Sequence, residues 1–169
     1  MLDENFDNDS KNIEQYLSFK LAEQHYGVDI LRVKEIRGWS NVTPIPNSPH
    51  YVKGVMNLRG EIVPIIDMCS RFSLESKAYG PLTVVIILEI EFEGRSKTMG
   101  LVVDAVAEVF NLEGETISLA NEYVDNPNKT YINGLISKKD KTIVLLDVNK
   151  LLDLDEYSYK SINNAKSYS

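Results

Sequence analysis

The chain has 169 residues, a formal net charge of −7 and one cysteine. This length suits one domain or two very small ones, and a lone cysteine excludes an internal disulfide, as expected in a reducing cytosol. No apolar run reaches the ~20 residues that a membrane-spanning helix needs, and no basic stripe of the kind that binds nucleic acid is present.

The first part of the chain predicts an acidic tail followed by mixed structure. Residues 1–14 hold five acids and one lysine among few large apolar side chains, which predicts disorder. Residues 16–21 alternate as in a strand with one solvated face. From residue 30 to 36 the apolar spacing favours one or two helical turns, with Asp29 as the N-cap and Gly38 as the stop.

Residues 54–68 have the pattern of a β-hairpin and organise the middle of the chain. Gly60 can take the positive φ of a tight turn between two apolar runs. Pro64 cannot donate a hydrogen bond to a neighbouring strand, which predicts an edge strand or a bulge. Asp67 follows the second apolar run, where its side chain would cap a short helix.

The second half is predicted as strands followed by a terminal helix. Residues 83–90 form a nearly continuous, β-branched apolar run, which predicts a fully buried strand. The polar residues 73–81 before it are the predicted linear boundary between two units. Further strands are predicted at 96–103, 107–112 and 134–146, with a solvated hairpin tip at 138–141, a helix at 148–154 and a C-terminal helix or tail at 155–169.

Two stretches of the chain repeat in the same order. Residues 26–36 resemble 99–109, and the hairpin 54–67 resembles 134–147 with the same spacing from glycine to aspartate. This order predicts a duplicated β unit. Because closure removes exposed sheet edges, we predict a mainly β fold of two small five-stranded barrels packed together, with short helices and an apolar seam between the barrels.

Sequence motifs for catalysis, metal binding and cofactor binding are missing. The chain has no HxxxH or CxxC spacing for a metal and no glycine-rich loop for a phosphate. Cys69 and His50 are the candidates for a small enzyme, but neither has a suitable partner nearby in sequence. The sequence therefore predicts no enzyme activity, no cofactor and no metal.

Several stretches together resemble the CheW family of chemotaxis coupling proteins. The likeness covers residues 15–154, and the motifs that carry it are YGVDILRVKEIRG at 26–38, TPIPN at 43–47, VKGVMNLRG at 52–60, VPIID at 63–67 and GLVVDAV at 100–106. The resemblance implies two SH3-like barrels that can interleave along the chain. It also implies a non-enzymatic adaptor that couples methyl-accepting chemoreceptors to the histidine kinase CheA, in the cytoplasm at membrane-associated receptor arrays.

The resemblance also implies which residues meet each partner. The family's receptor contacts match Val33, Glu35, Gly54 and Val109, its kinase contacts match Ile36 and Met99, and Glu35 is expected to form a structural salt bridge with Arg59. The seam between the barrels is expected to receive the receptor's helical tip.

The residues alone leave less specific interpretations open. Val33 and Ile36 could face the core, Gly54 could serve only a turn, and Glu35 and Arg59 could be solvated charges. A single-stranded nucleic-acid-binding β-barrel is the alternative function, which the acidic composition does not favour.

Overall fold

The computed structural model describes residues 14–75, 77–112 and 131–153. Of the tail predicted over residues 1–14, residues 1–13 lie outside the described part, as do residues 154–169, while Glu14 begins β1. The strands are β1 (Glu14–Leu21), β2 (Gln24–Asp29), β3 (Val33–Gly38), β4 (Val52–Leu58), β5 (Glu61–Asp67), β6 (Val84–Phe92), β7 (Arg95–Val103), β8 (Ala105–Leu112), β9 (Ile132–Lys138) and β10 (Lys141–Leu146). The helices are a 3₁₀ turn (Ile30–Arg32), α1 (Met68–Arg71) and α2 (Val148–Asp153). No helix in these ranges is long and apolar enough to cross a membrane.

The strands form two five-stranded sheets with equivalent topology. The first sheet has the order β8-β1-β2-β10-β9, and the second has the order β3-β6-β7-β5-β4. Each sheet contains one parallel contact, between β2 and β10 in the first and between β5 and β7 in the second. The predicted mainly β fold of two five-stranded units with short helices is confirmed, and it is consistent with SH3-like barrels.

The parallel contacts show that the repeat found in the sequence has a structural counterpart. Gly27 lies opposite Leu145 in the first sheet, and Gly100 lies opposite Ile65 in the second. These four residues occupy matching positions in the two repeated segments. The sequence similarity therefore corresponds to the same pairing register in both sheets, which two unrelated hairpins would not share.

Both repeated hairpins end in the same capped turn. Asp67 caps α1 by accepting a hydrogen bond from the backbone N–H of Ser70, and Asp147 accepts one from Lys150 at the start of α2, each at 3.1 Å. The backbone N–H of Asp67 donates to the Tyr51 carbonyl at 2.8 Å, and that of Asp147 to Tyr131 at 2.9 Å. The predicted Asp67 cap is present, and its duplicate holds the second helix.

The two sheets are interleaved along the chain. Residues 33–103 contribute every strand of the second sheet, whereas the first sheet combines strands from 14–29 and 105–146. The predicted linear boundary at 73–81 connects α1 to β6, so it lies within one sheet and does not separate the two. Local polarity does not predict this interleaving, because the interleaving depends on which distant strands pair with each other.

The segment predicted as helical turns is mostly a strand. Asp29 does cap a 3₁₀ turn, since its side chain accepts from the Leu31 N–H at 2.9 Å. The turn ends at Arg32, and Val33–Gly38 then pairs antiparallel with the buried strand β6. Tertiary strand pairing overrides the local helical spacing here.

Pro64 lies inside a sheet and not at its edge, contrary to the prediction. Its strand β5 is flanked by β4 and β7. Val55, opposite Pro64, exchanges both of its backbone hydrogen bonds with Thr43 at 2.9 Å, so it requires no donor from the proline. Pairing with β7 begins only at Ile65. The missing N–H of Pro64 therefore leaves no gap in either ladder.

The largest hydrophobic cluster joins the two sheets. It contains Phe19 and Leu146 of the first sheet together with Ile66, Leu88 and Leu101 of the second, and each is at most 2% exposed. The apolar seam expected between the barrels therefore exists, but the chain's own side chains fill it.

We predict that Gly100→Ala destabilises the fold by about 1–3 kcal/mol, because an added Cβ overpacks the core. The new carbon would lie 2.6 Å from Ile65 Cδ1 and 2.9 Å from Val85 Cγ1, both on buried side chains. The equivalent Gly27→Ala meets its nearest atom at 3.2 Å and should cost less. Gly38→Ala meets nothing within 4 Å and is the control. Urea unfolding of the three variants measures the difference, and equal stabilities would contradict it.

Candidate functional site

The edge strand β3 carries three of the six residues predicted to bind partners. It pairs with β6 on one side only, and a bulge between Val33 and Glu35 changes which side chains face outward. Val33 is half-buried and packs against the large cluster that joins the sheets. Ile36 is 44% exposed, which is unusual for a large apolar side chain in this fold. Ile36 is thus available to a partner, and Val33 only in part.

Glu35 and Arg59 form an ion pair that ties the edge of the second sheet to its β4–β5 turn. Arg59 Nη2 donates to Glu35 Oε2 at 2.8 Å, and Arg37 lies 3.5 Å from the other carboxylate oxygen. The hydrogen bond from Arg59 is the main reason that the pKa of Glu35 is lowered. Because the Arg59 side chain is 76% exposed, solvent screens the pair, and its contribution to stability is small. Its effect is to fix where the Glu35 carboxylate points.

The local sequence determines the conformation of the β4–β5 turn, which carries Arg59. Arg59 has a positive φ of 52°, and Gly60 follows at 87°. The Asn57 side chain accepts a hydrogen bond from the Gly60 N–H at 2.9 Å and closes the turn. The guanidinium is therefore held at a defined place next to β3.

Gly54 is buried, so its backbone geometry matters more than any surface contact. It has a φ of +145°, and a Cβ there would lie 2.2 Å from the backbone oxygen of Thr43. The close approach supports the hydrogen-bonded bridge between Thr43 and Val55. Gly54 can influence a binding surface only by holding this backbone in place.

Val109 lies on β8, the matching edge strand of the first sheet. Its side chain is 52% exposed, and it occupies the position in the repeat that Ile36 occupies in the second sheet. The neighbouring Glu108 is 3.7 Å from Lys139 in the β9–β10 turn. This ion pair is the counterpart of Glu35 with Arg59. The two repeats thus present similar surfaces, each with an exposed aliphatic side chain beside an ion pair.

Several residues of these surfaces were not predicted individually from the sequence. Glu108 and Lys139 align with Glu35 and Arg59 when the two repeats are aligned, so the repeat could have predicted this second ion pair. Leu31, which is 87% exposed in the 3₁₀ turn before β3, had no such signal.

Met99 cannot make the kinase contact predicted for it. The side chain is 2% exposed and belongs to the large cluster between the sheets. It lies in β7, a central strand flanked by β6 and β5. A residue in an interior strand that faces the shared core has no route to a partner, so this assignment is wrong.

The candidates for an enzyme are not placed for catalysis. Cys69 is 3% exposed, and burial followed by the nearby Asp104 and Asp67 carboxylates raises its pKa to about 12. Its thiol is therefore protonated near neutral pH and is a poor nucleophile. His50 has an edge contact with the Tyr51 ring. Among the described residues, no group of three or more potential ligands could hold a metal ion.

Comparison with known proteins places this geometry in a family. A family model described as the CheW-like domain matches residues 15–156. A protein named Chemotaxis protein CheW from Klebsiella aerogenes is 40% identical over 155 residues, which cover 92% of this chain and 90% of the relative. A protein of the same name from Treponema pallidum is 33% identical and covers 84% of each chain.

A solved structure agrees with the sequence comparisons. The scaffolding protein TtCheW from Thermoanaerobacter tengcongensis superimposes with a TM-score of 0.70 and is 32% identical, covering 79% of this chain and 83% of that chain. The match includes both the fold and a substantial part of the sequence. With these similarities over most of its length, the chain belongs to the CheW family.

Proposed function

We propose that this protein is a non-enzymatic adaptor that couples methyl-accepting chemoreceptors to the histidine kinase CheA in cytoplasmic signalling arrays at the membrane. Its membership of the CheW family carries this proposal. The buried, protonated thiol of Cys69 supports the absence of catalysis. A coupling protein must bind two different partners, and the duplicated fold offers two exposed edge strands, β3 and β8, that carry most of the candidate contact residues.

The chemistry of these surfaces suits protein partners. Ile36 and Val109 are large apolar side chains exposed on edge strands, and each lies next to a glutamate in an ion pair. An apolar centre with a charged rim is the usual composition of a specific interface. We infer that the receptor's helical tip lies against these exposed apolar side chains, with polar contacts at the rim.

We assign the receptor surface to Val33, Glu35 and Val109, and the kinase surface to Ile36. Gly54 would act on the receptor surface indirectly, because its close approach to Thr43 fixes the backbone of β4, the strand that leads into the turn carrying Arg59. Glu35 is the best-oriented polar group of the set, since Arg59 holds its carboxylate at 2.8 Å. A fixed carboxylate loses little conformational entropy when a partner binds.

We expect Glu35→Lys to weaken binding of a receptor cytoplasmic fragment by about tenfold or more, because it removes the oriented carboxylate and places two cations together. Isothermal titration with the purified fragment measures the affinity, and circular dichroism should show an unchanged fold. Glu91→Lys, which makes the same charge change on the exposed end of β6, should bind normally.

A charge reversal distinguishes a role of Glu35 in the ion pair with Arg59 from a role in binding the receptor. The double variant Glu35→Lys with Arg59→Glu restores an ion pair across the turn but leaves the partner facing a cation. If Glu35 contacts the receptor, the double variant should still bind the receptor fragment weakly. Wild-type affinity in Glu35→Lys itself would contradict the receptor assignment.

We expect the two exposed aliphatic side chains to act on different partners. Ile36→Asp should weaken CheA binding, and Val109→Asp should weaken receptor binding, each by about tenfold or more, because a desolvated charge replaces an apolar contact. Leu82→Asp is the matched control, since Leu82 is 72% exposed and lies outside both edge strands. Pull-down and titration with each partner separately measure the effects. Normal binding of both partners by both variants would refute the assignment of these edges.

A further inference from the structure

A tyrosine covers the aspartate that caps α1 in the second sheet. The Tyr79 hydroxyl donates to one carboxylate oxygen of Asp67, and the other oxygen accepts the cap hydrogen bond from the Ser70 N–H. The Tyr79 ring makes a T-shaped contact with Trp39, with ring centres 4.5 Å apart, and the Lys53 ammonium lies 5.3 Å from its centre. Burial, and then the hydrogen bond to Asp67, raise the pKa of Tyr79, so the phenol keeps the proton that it donates. Tyr79 therefore closes the capped turn of this sheet.

The matching place in the first sheet is a pocket. It has a volume of about 150 Å³ and lies at Asp147, the counterpart of Asp67 in the repeat, and Asn133, the counterpart of Lys53, also lines it. Asp147 is half-buried and accepts the cap hydrogen bond from Lys150, but no side chain of the described residues donates to it. A cavity of about this size can hold one aromatic ring. The pocket thus has room for a ring and a carboxylate that can accept a further hydrogen bond.

The strands beneath the pocket match those beneath Tyr79. Tyr79 packs on an apolar cluster that contains Val85 of β6 and Val102 of β7, which pair with each other. Tyr16 of β1 and Asp29 of β2 pair in the same way at the equivalent positions of the first sheet, and both line the pocket. The first sheet therefore keeps the place that Tyr79 fills in the second, and the described residues leave it open.

The sequence supplies a second tyrosine at the matching distance. Tyr79 follows Asp67 by 12 residues, and Tyr159 follows Asp147 by 12 residues. In both stretches a leucine stands seven residues after the aspartate, and an acidic residue stands eight residues after it. The sequence repeat therefore continues past α2 into residues 154–169.

We propose that the pocket at Asp147 is the docking site of the chain's own C-terminal segment, residues 154–169, with Tyr159 as the side chain that enters it. Its hydroxyl donates to the second carboxylate oxygen of Asp147, which has no side-chain donor among the described residues. Arg32 in the pocket wall provides a cation near the ring, as Lys53 does for the ring in the second sheet.

The segment is long enough to reach the pocket. The helix α2 has 6 residues and ends at Asp153, so it spans about 9 Å from its start beside Asp147. The residues from 154 to 159 can span ~20 Å when extended. The chain can therefore turn back along α2 and bring Tyr159 to the pocket while the strands stay in place.

Limited trypsin digestion of the full chain tests the docking, because Lys160 adjoins Tyr159 and Lys166 lies near the chain end. Cleavage requires an undocked segment, so we expect the wild type to be cut about tenfold more slowly after Lys160 than after Lys166. Tyr159→Phe, which removes only the hydroxyl, and Asp147→Asn, which can still cap α2, should each speed cleavage after Lys160 several-fold. Tyr157→Phe is the matched control and should change neither rate.

Nuclear magnetic resonance of the full chain labelled with ¹⁵N-asparagine locates the docked ring. Tyr159→Ala should shift the side-chain amide signals of Asn133 and Asn149, which line the pocket, and Tyr157→Ala should leave them in place. Shifts that do not depend on protein concentration assign the docking to one chain. Shifts that vanish on dilution would assign it to a second copy and overturn the proposal.

Two further results would overturn the proposal. One is equal cleavage after Lys160 and Lys166 in the wild type, and the other is an unchanged Asn133 signal in Tyr159→Ala. Circular dichroism checks that all variants fold. Neither readout involves a receptor or a kinase, so the docking proposal and the adaptor proposal stand or fall separately.

Discussion

The cluster of buried side chains between the two sheets is the interaction on which the rest of the structure depends. Five short strands with one apolar face cannot bury enough surface to be stable alone, so each sheet needs the other. The chain also passes from one sheet to the other twice, between β2 and β3 and between β7 and β8. At the second crossing, Asp104 donates its backbone N–H to the Lys20 carbonyl at 3.0 Å, and its carboxylate accepts from the Ala22 N–H at 2.8 Å. These contacts hold the crossing segment against β1 of the first sheet.

This shared core determines which apolar side chains remain exposed. Phe19, Leu88 and their neighbours are buried between the sheets, whereas Ile36 and Val109 on the edge strands β3 and β8 stay exposed. The edge strands β3 and β8 begin directly after the two crossings, so the rigid core fixes their position. Edge strands with exposed backbone usually need protection against unwanted pairing, and charged side chains provide it. Glu35 with Arg37 on β3, and Glu108 on β8, fit that role while they frame an exposed aliphatic residue.

The sequence predicts local features of this molecule well and pairing between distant strands poorly. The hairpins, the Asp67 cap and the repeat follow from spacing and turn chemistry, which act over a few residues. Residues 30–36 were predicted as helical turns because their apolar spacing follows a suitable N-cap, Asp29. The turn that Asp29 caps ends after three residues, and the rest of the segment is a strand because it pairs with β6. The kinase contact of Met99 was expected only through family resemblance, and the structure buries that side chain in the shared core. The ion pair of Glu35 with Arg59 was expected only through family resemblance, since 24 residues separate its partners.

The two repeats use one backbone framework for different chemistry. Arg59 reaches Glu35 at 2.8 Å, whereas Lys139 lies 3.7 Å from Glu108 at the matching place. A guanidinium fork holds a carboxylate in a fixed geometry, and an ammonium on a flexible stem does so less well. The ion pair therefore has a more fixed geometry in the second sheet than in the first, although both pairs stand at the same place of one framework. Because the shared core stabilises both sheets together, the two rims can differ in this way while the backbone pairing beneath them stays the same.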